Sequence, residues 1–349
     1  KYYENGRLIK RYFFKDKEGK EHLSSIIKHM HSRTLLTSID PVEKVELIHA
    51  GCGWSDTFLK RERKHAMKKF GLANEIVGFS QTKETREISL DIGFVDSVAE
   101  TIEEAVAGAD LIVLSVPVGA MAEVAKKIGP KLKLGATITD VGSVKKSVID
   151  MVKPHIPAGV HFIPGHPLAG TEQSGPKSGF PELFKNRWCI LTPLENCNEE
   201  ARNKLEQYWE ALGANVEFMD AEHHDLVLAV TSHAPHLIAY TMVGVADDLG
   251  RVTDKEVINF SAAGFRDFTR IAASDPTMWR DVFLNNKEAT LEILGRFTEE
   301  LFDLQRAIRR GDGDQLFEYF DRTRAIRRSI IDAGQDTEAA NFGRGSVDE

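Results

Sequence analysis

From Val45 onward, short apolar runs alternate with helix-like stretches, and no other feature narrows so far what this chain can fold into. The runs are VELIHA (45–50), EIVGF (75–79), LIVLSVP (111–117), ATITDVG (136–142), VHFIPG (160–165) and WCILTP (188–193). Unbroken Val/Ile/Leu runs mark strands covered on both faces. The stretches between them, 55–70, 81–92, 100–107 and 119–128, read as helices. Strands alternating with helices imply a doubly wound parallel sheet, whose ligand crevice lies at the carboxyl ends of its strands. A further helix at 198–213 and a strand at 215–220 complete a first domain over 44–220. Beyond it the chain reads as helical over 221–248, 254–263, 277–309 and 313–333, with Leu294, Phe297, Leu301, Leu304 and Ile308 at the spacing of an amphipathic stripe. The expected fold is α/β: a Rossmann-type doubly wound parallel sheet followed by an all-helical domain over 221–333. Residues 1–43 form a basic, aromatic N-terminal extension, and 334–349 a polar tail expected to be flexible. Turn signals at Asn5-Gly6 and Glu18-Gly19 allow short hairpins in the extension, although a loose extension is favoured.

A length of 349 residues allows about two domains. The net charge of −8 argues against a nucleic-acid or membrane-surface partner, since both need a basic field. The apolar stretch 111–122 is too short to span a bilayer, and the opening residues do not read as a signal peptide. Three cysteines, Cys52, Cys189 and Cys197, cannot all pair with one another and form no CxxC, which suits a cytoplasmic location.

The first strand should lead through a glycine-rich turn into a helix whose N–H groups hold a pyrophosphate. The chain there reads HAGCGWSDTF (49–58), in which Gly51 and Gly53 supply a G-x-G but Asp56 stands where a third glycine belongs. A chance G-x-G and a binding loop both fit that turn. At the end of the second strand, where NAD sites carry an acid, the chain has Ser80, followed by Thr82 and Lys83. These could accept a 2′-phosphate, favouring NADP with NAD possible; a plain polar loop is the alternative. Ser115 and Pro117, closing the third run, are further candidate cofactor contacts.

GHPLAGTEQSGP (165–176) follows a buried run and sets His166 and Glu172 among turn-forming residues, which reads as a loop placed for chemistry. His233 and His236 lie at i and i+3 on a helix and share a face. Spacing admits a metal pair, but no third ligand completes it, so no metal is expected. The EHHD stretch (222–225) reads as a solvated helix start, and the basic run 60–69 as a solvated helix face.

Four motifs in order carry a resemblance: DVGSVK (140–145), GHPLAGTEQSGP (165–176), TSHAPHLIAY (231–240) and GFRDFTRIAASDPTMWRDVF (264–283). Together they resemble the prephenate dehydrogenase family, which includes arogenate and cyclohexadienyl dehydrogenases, over roughly residues 73–333. The 44–72 region, with its incomplete glycine turn, resembles the family poorly, and the 1–43 extension does not resemble it. The resemblance implies oxidative decarboxylation of a cyclohexadiene diacid, prephenate to 4-hydroxyphenylpyruvate or arogenate to tyrosine, with hydride passing to a nicotinamide. It implies that His166 serves as base at the ring hydroxyl and that Ser143 bonds both His166 and the substrate, though Ser143 could equally cap a helix over 144–152. By the same resemblance, Glu172 joins an ionic network with Asp267 and Arg270, and Arg270 binds a substrate carboxylate. Arg266 is a weaker candidate. His236 contacts the substrate side chain, with His233 and Ser232 assisting, and Trp279 reaches the pocket of a neighbouring subunit; packing alone is the alternative for His233, His236 and Trp279. A homodimer through the helical domain is implied. Two rivals stay open: a hydroxyacid-type dehydrogenase relying on a helical-domain lysine, and a silent binding relative with a damaged nucleotide turn.

Overall fold

The computed structural model describes residues 2–4, 7–9, 13–15, 21–23, 42–49, 72–93, 95–169, 183–250 and 259–332. In the extension, β1 (Tyr2–Glu4) pairs antiparallel with β2 (Arg7–Ile9) across Asn5-Gly6, and β3 (Phe13–Lys15) pairs with β4 (Glu21–Leu23). Short hairpins therefore form there rather than a strandless extension.

The main sheet is built from β5 (Val42–His49), β6 (Ala73–Ser80), β7 (Ser97–Val98), β8 (Leu111–Ser115), β9 (Thr137–Asp140) and β10 (His161–Phe162). Its strand order is β10-β9-β8-β5-β6-β7, and every neighbouring pair is parallel. This is the doubly wound order, with the switch point at β5. β5 begins at Val42, inside the expected extension. Connecting helices are α1 (Lys83–Asp91), α2 (Ile102–Val106), α3 (Met121–Ile128) and α4 (Lys146–Val152). The continuous apolar run of β8 is explained by two cores. Leu111 and Val113 join Ile76, Leu191 and Trp209 on one face, whereas Ile112 and Leu114 join Met121, Ile128 and Val148 on the other.

The VHFIPG run does not form one strand. It splits into β10 and a separate strand, β11 (Gly165–Pro167), which leaves the main sheet and pairs antiparallel with β12 (Trp188–Leu191). After α5 (Glu199–Ala211), β13 (Asn215–Phe218) adds in parallel to β12. His166 thus sits in the middle of a buried strand, opposite Ile190, and not on a loop.

A buried ion pair fixes the start of that strand. Asp140, at the end of β9, accepts from Gly165 N (3.1 Å) and Gly142 N (2.8 Å) and pairs with Lys145 Nζ. Lys145 Nζ also donates to the carbonyl of Gly165 at 2.6 Å. Both backbone groups of Gly165 are therefore held by one buried pair, whose side chains are 0% exposed. A side chain at Gly165 would meet the Asp140 carbonyl and Thr139 Oγ1 at 3.0 Å, a close approach that favours glycine there.

The helical part comprises α6 (Ala221–Leu228), a π-helical turn (Ala229–His233), α7 (Ala234–Gly250), α8 (Ala263–Thr269), α9 (Pro276–Asn285), α10 (Lys287–Arg310) and α11 (Gly313–Asp332). The expected helix over 254–263 lies largely outside the described residues, and a separate helix, α8, begins at Ala263. The expected 277–309 helix breaks at Asn286, whose φ of −122° and ψ of 46° are not helical. The run Ala221–Asp248 is long and apolar enough to cross a membrane by length and composition. It carries buried His224, Asp225 and His233, however, and its π turn interrupts the regular helix, as befits a helix that builds a site. By internal contacts the chain forms two units, Lys1–Thr290 and Leu291–Glu349.

Two substitutions test the ion pair. Lys145→Met leaves the Asp140 carboxylate buried without its cation and should lower stability by about 3–5 kcal/mol. The double variant Asp140→Asn/Lys145→Met should recover part of that loss in urea denaturation. Gly165→Ala should cost about 1–3 kcal/mol through overpacking against the Asp140 carbonyl and Thr139.

Candidate active site

Three buried side chains form a hydrogen-bonded chain. His166 Nδ1 lies 2.8 Å from His224 Nε2, and His224 Nδ1 lies 2.8 Å from Asp225 Oδ1. The two rings meet edge to face at 5.1 Å. Asp225 is itself anchored by backbone: its Oδ1 accepts from Lys145 N (2.7 Å) and its Oδ2 from Lys146 N (3.0 Å). It thereby caps α4 from another element, in the place expected of Ser143, and α4 has no capping side chain of its own.

Proton positions follow from the chemistry of the end group. An ionised carboxylate only accepts, so His224 must carry its proton on Nδ1 and offer a lone pair at Nε2. His166 must then donate from Nδ1, which leaves its Nε2 as the basic nitrogen. Burial pushes His166 well below the ordinary histidine value, and the neighbouring His224 and Lys145 add to that shift. Burial also lowers His224, opposed by its bond to Asp225. Both rings are neutral at physiological pH.

The cavity that His166 lines has a volume of about 380 Å³ and is shared by Ser143, Ser232, His236, Arg270 and Trp279. Residues from β11, the segment before α4, the π turn, α7 and the turn after α8 thus converge within one unit. His236 Nδ1 donates to the Ser232 carbonyl at 2.8 Å, so its Nε2 is an acceptor. Burial lowers its pKa, and Arg270 lowers it further. The Trp279 ring stacks on His236 at 3.7 Å within the same chain, and its side chain is buried. Trp279 therefore lines the cavity of its own chain. His233 stands behind the cavity: it is fully buried, its Nδ1 accepts from Asn286 Nδ2 at 3.0 Å, and burial pushes its pKa down to about 4. The same amide donates to the Asp225 carbonyl at 2.8 Å.

Ser143 is buried at the cavity, but the Nδ1 bond of His166 goes to His224, not to Ser143. Asp267 lies one turn before Arg270 and does not line the cavity. Glu172, Gly51 and Gly53 fall outside the described residues. The expectation of a solvated helix start at 222–225 suits only exposed Glu222 and His223, since His224 and Asp225 are buried. The signal for the inner pair is helical spacing: 224 and 225 share a face with buried Leu228 and Ala229.

At the nucleotide edge, β5, β6 and β8 end level, because His49 is in register with both Ser80 and Ser115. Ser80 and Ser115 are buried there. Thr82 caps α1, accepting from Thr85 N at 3.3 Å, and exposed Lys83 pairs with Glu87. Pro117 precedes a short turn whose Gly119 N donates to Asp281 Oδ2 of α9 at 3.2 Å. Arg86, which no sequence motif singles out, places its guanidinium at the end of β6, donating to the Ser80 carbonyl at 2.6 Å. Among the described residues no cluster of potential metal ligands occurs.

Comparison with known proteins agrees along most of the chain. Residues 64–218 match the family model of the prephenate dehydrogenase nucleotide-binding domain, and 220–322 that of the prephenate dehydrogenase dimerization domain. The chain is 42% identical to a cyclohexadienyl dehydrogenase of Zymomonas mobilis over 70% of this chain and 83% of that protein. It is 31% identical to a prephenate dehydrogenase of Bacillus subtilis over 76% and 71% respectively. A crystal structure of prephenate dehydrogenase from A. aeolicus, in complex with hydroxyphenyl propionate and NAD+, superimposes with a TM-score of 0.74 at 32% identity, covering 82% of this chain and 98% of that one. With two consecutive domain models matched and relatives of this similarity, the chain belongs to the prephenate dehydrogenase family.

Proposed function

We propose that the protein oxidises and decarboxylates prephenate, arogenate or both, as a step of tyrosine biosynthesis, with His166 as the base. The observation that carries this reading is the His166–His224–Asp225 chain, which aims an unprotonated imidazole nitrogen at a cavity edged by a guanidinium. A bound nicotinamide supplies the hydride acceptor for the ring carbinol carbon. The residues fit a dinucleotide: three parallel strands end level at the switch point, where such ligands bind.

His166 Nε2 takes the carbinol proton as that carbon is oxidised, and Ser143 shares the hydroxyl. Arg270, at the exposed rim, holds a carboxylate with its planar fork. His236 and Ser232 meet the side chain, and Trp279 excludes water while fixing the His236 ring. His233 and Asn286 brace the π turn behind them. By the resemblance, Glu172 and Asp267 join Arg270 in an ionic network, and Gly51, Gly53, Ser115 and Pro117 contact the cofactor.

NADP is the favoured cofactor. β6 ends on Ser80, with Thr82 and Lys83 following and the Arg86 guanidinium, paired with Glu100 at 3.1 Å, beside them, a set that suits a 2′-phosphate better than a bare ribose. A homodimer is favoured by the family model over 220–322 and by Phe302, Ile308, Phe317 and Phe320, which α10 and α11 leave exposed. A cytoplasmic location suits this reaction.

One spectrophotometric assay with both substrates and both cofactors tests the reading; turnover of neither substrate with either cofactor overturns it. His166→Asn should lower kcat by about 10²–10⁴ while leaving nucleotide affinity unchanged. Arg270→Ala should raise KM by about 10- to 100-fold, the loss of a charged hydrogen bond. Because His166 is held below the ordinary value of 6.5, its neutral form persists as pH falls past that point. The acid limb of kcat/KM is therefore expected below 6.5, and a limb above it contradicts a buried, neutral base. Lys83→Ala should weaken NADP more than NAD in a binding titration.

A further inference from the structure

The hydrogen-bonded chain does more than aim one nitrogen. Asp225 lines a second cavity of about 520 Å³, together with Lys146, Asp150, Glu222, Asn286 and Glu288. None of these residues lines the cavity that His166 borders. We propose that His224 and Asp225, acting through His166, hold the substrate's proton during oxidation. The proposal rests on the oxidative decarboxylation assigned to this site and deepens it.

The proton balance is closed within the chain. As the carbinol carbon is oxidised, the hydroxyl proton passes to His166 Nε2 while the Nδ1 proton passes to His224 Nε2. The hydride goes to the nicotinamide. Positive charge comes to rest on His224 against the Asp225 carboxylate, which stays ionised. When the ring carboxylate departs as CO₂, its bonding pair enters the ring and reaches the oxygen. Both protons then run back, and the product leaves as a phenol. No proton is gained from or lost to water over a turnover.

Burial disfavours a charge on either ring, but at His224 two carboxylates offset it. Its ring faces Asp225 on its own helix, Asp140 and Lys145 from the β9–α4 segment, His166 from β11, and His233 from the π turn. Asp140 and Asp225 favour the cation there, whereas Lys145 opposes it. At His166 burial dominates, and His224, Lys145 and His233 each further disfavour a cation. The cation is therefore better placed on the inner ring.

The test is a single-turnover measurement of prephenate oxidation across mixtures of light and heavy water. Two protons moving together should give a curved dependence of rate on deuterium fraction in the wild-type enzyme; a straight line in an active enzyme overturns the relay. His224→Gln should lower kcat by about tenfold or more, keep KM within about twofold, and straighten the dependence. A variant with wild-type kcat, or one that loses rate but keeps the curvature, overturns the proposal by showing a structural role only. Absence of any oxidation by the wild-type enzyme overturns the assigned reaction itself, a result distinct from a straight line in an active enzyme.

Discussion

The Asp225 carboxylate is the joint on which the site depends. It accepts two backbone N–H groups at the start of α4 and the Nδ1 proton of His224, and its own carbonyl accepts from Asn286. One buried anion thereby ties the Rossmann-type sheet to the helix that carries His224, and sets the proton positions on two imidazoles. Burying a carboxylate is costly unless its oxygens are satisfied. Here three donors satisfy them, two being N–H groups of a helix N-terminus, whose partial positive charge favours an anion. The cap and the proton order are the same interaction seen from two sides.

A second buried charge pair works in parallel. Asp140 and Lys145 hold both backbone groups of Gly165, so that His166 leaves the main sheet in one direction only. Lys145 also helps keep His166 neutral. The chain DVGSVK thus acts on the base through Asp140 and Lys145 as much as through Ser143. A base mounted on a strand, rather than on a loop, loses little freedom when substrate arrives, which lowers the cost of reaching a reactive geometry.

Much of this is legible in the amino-acid order, for reasons that differ by residue. The parallel sheet follows from runs such as Ile112–Leu114, whose alternate side chains enter two cores and so must all be apolar. His166, Ser232, His236, Arg270 and Trp279 are recognisable from their motifs, and the cavity gathers them. His224 and Asp225 escape such a reading because a polar helix start looks the same whether water or a distant strand receives it. Their partners are 58 and 80 residues away, a separation that local pattern does not encode. The split of VHFIPG into two strands is hidden for a similar reason: Pro164 and Gly165 read as a strand's end, while the cause of the departure is the Asp140–Lys145 pair. The stacking of Trp279 on His236 joins positions 43 apart, and no spacing within either motif announces it.

Nitrogen-15 NMR of the histidine-labelled protein tests the central claim most directly, because ring nitrogen shifts distinguish the two neutral tautomers from the cation. The account requires His166 and His224 both to be neutral and protonated at Nδ1 at neutral pH. A cationic His166, or one carrying its proton on Nε2 with Nδ1 bare, would contradict it.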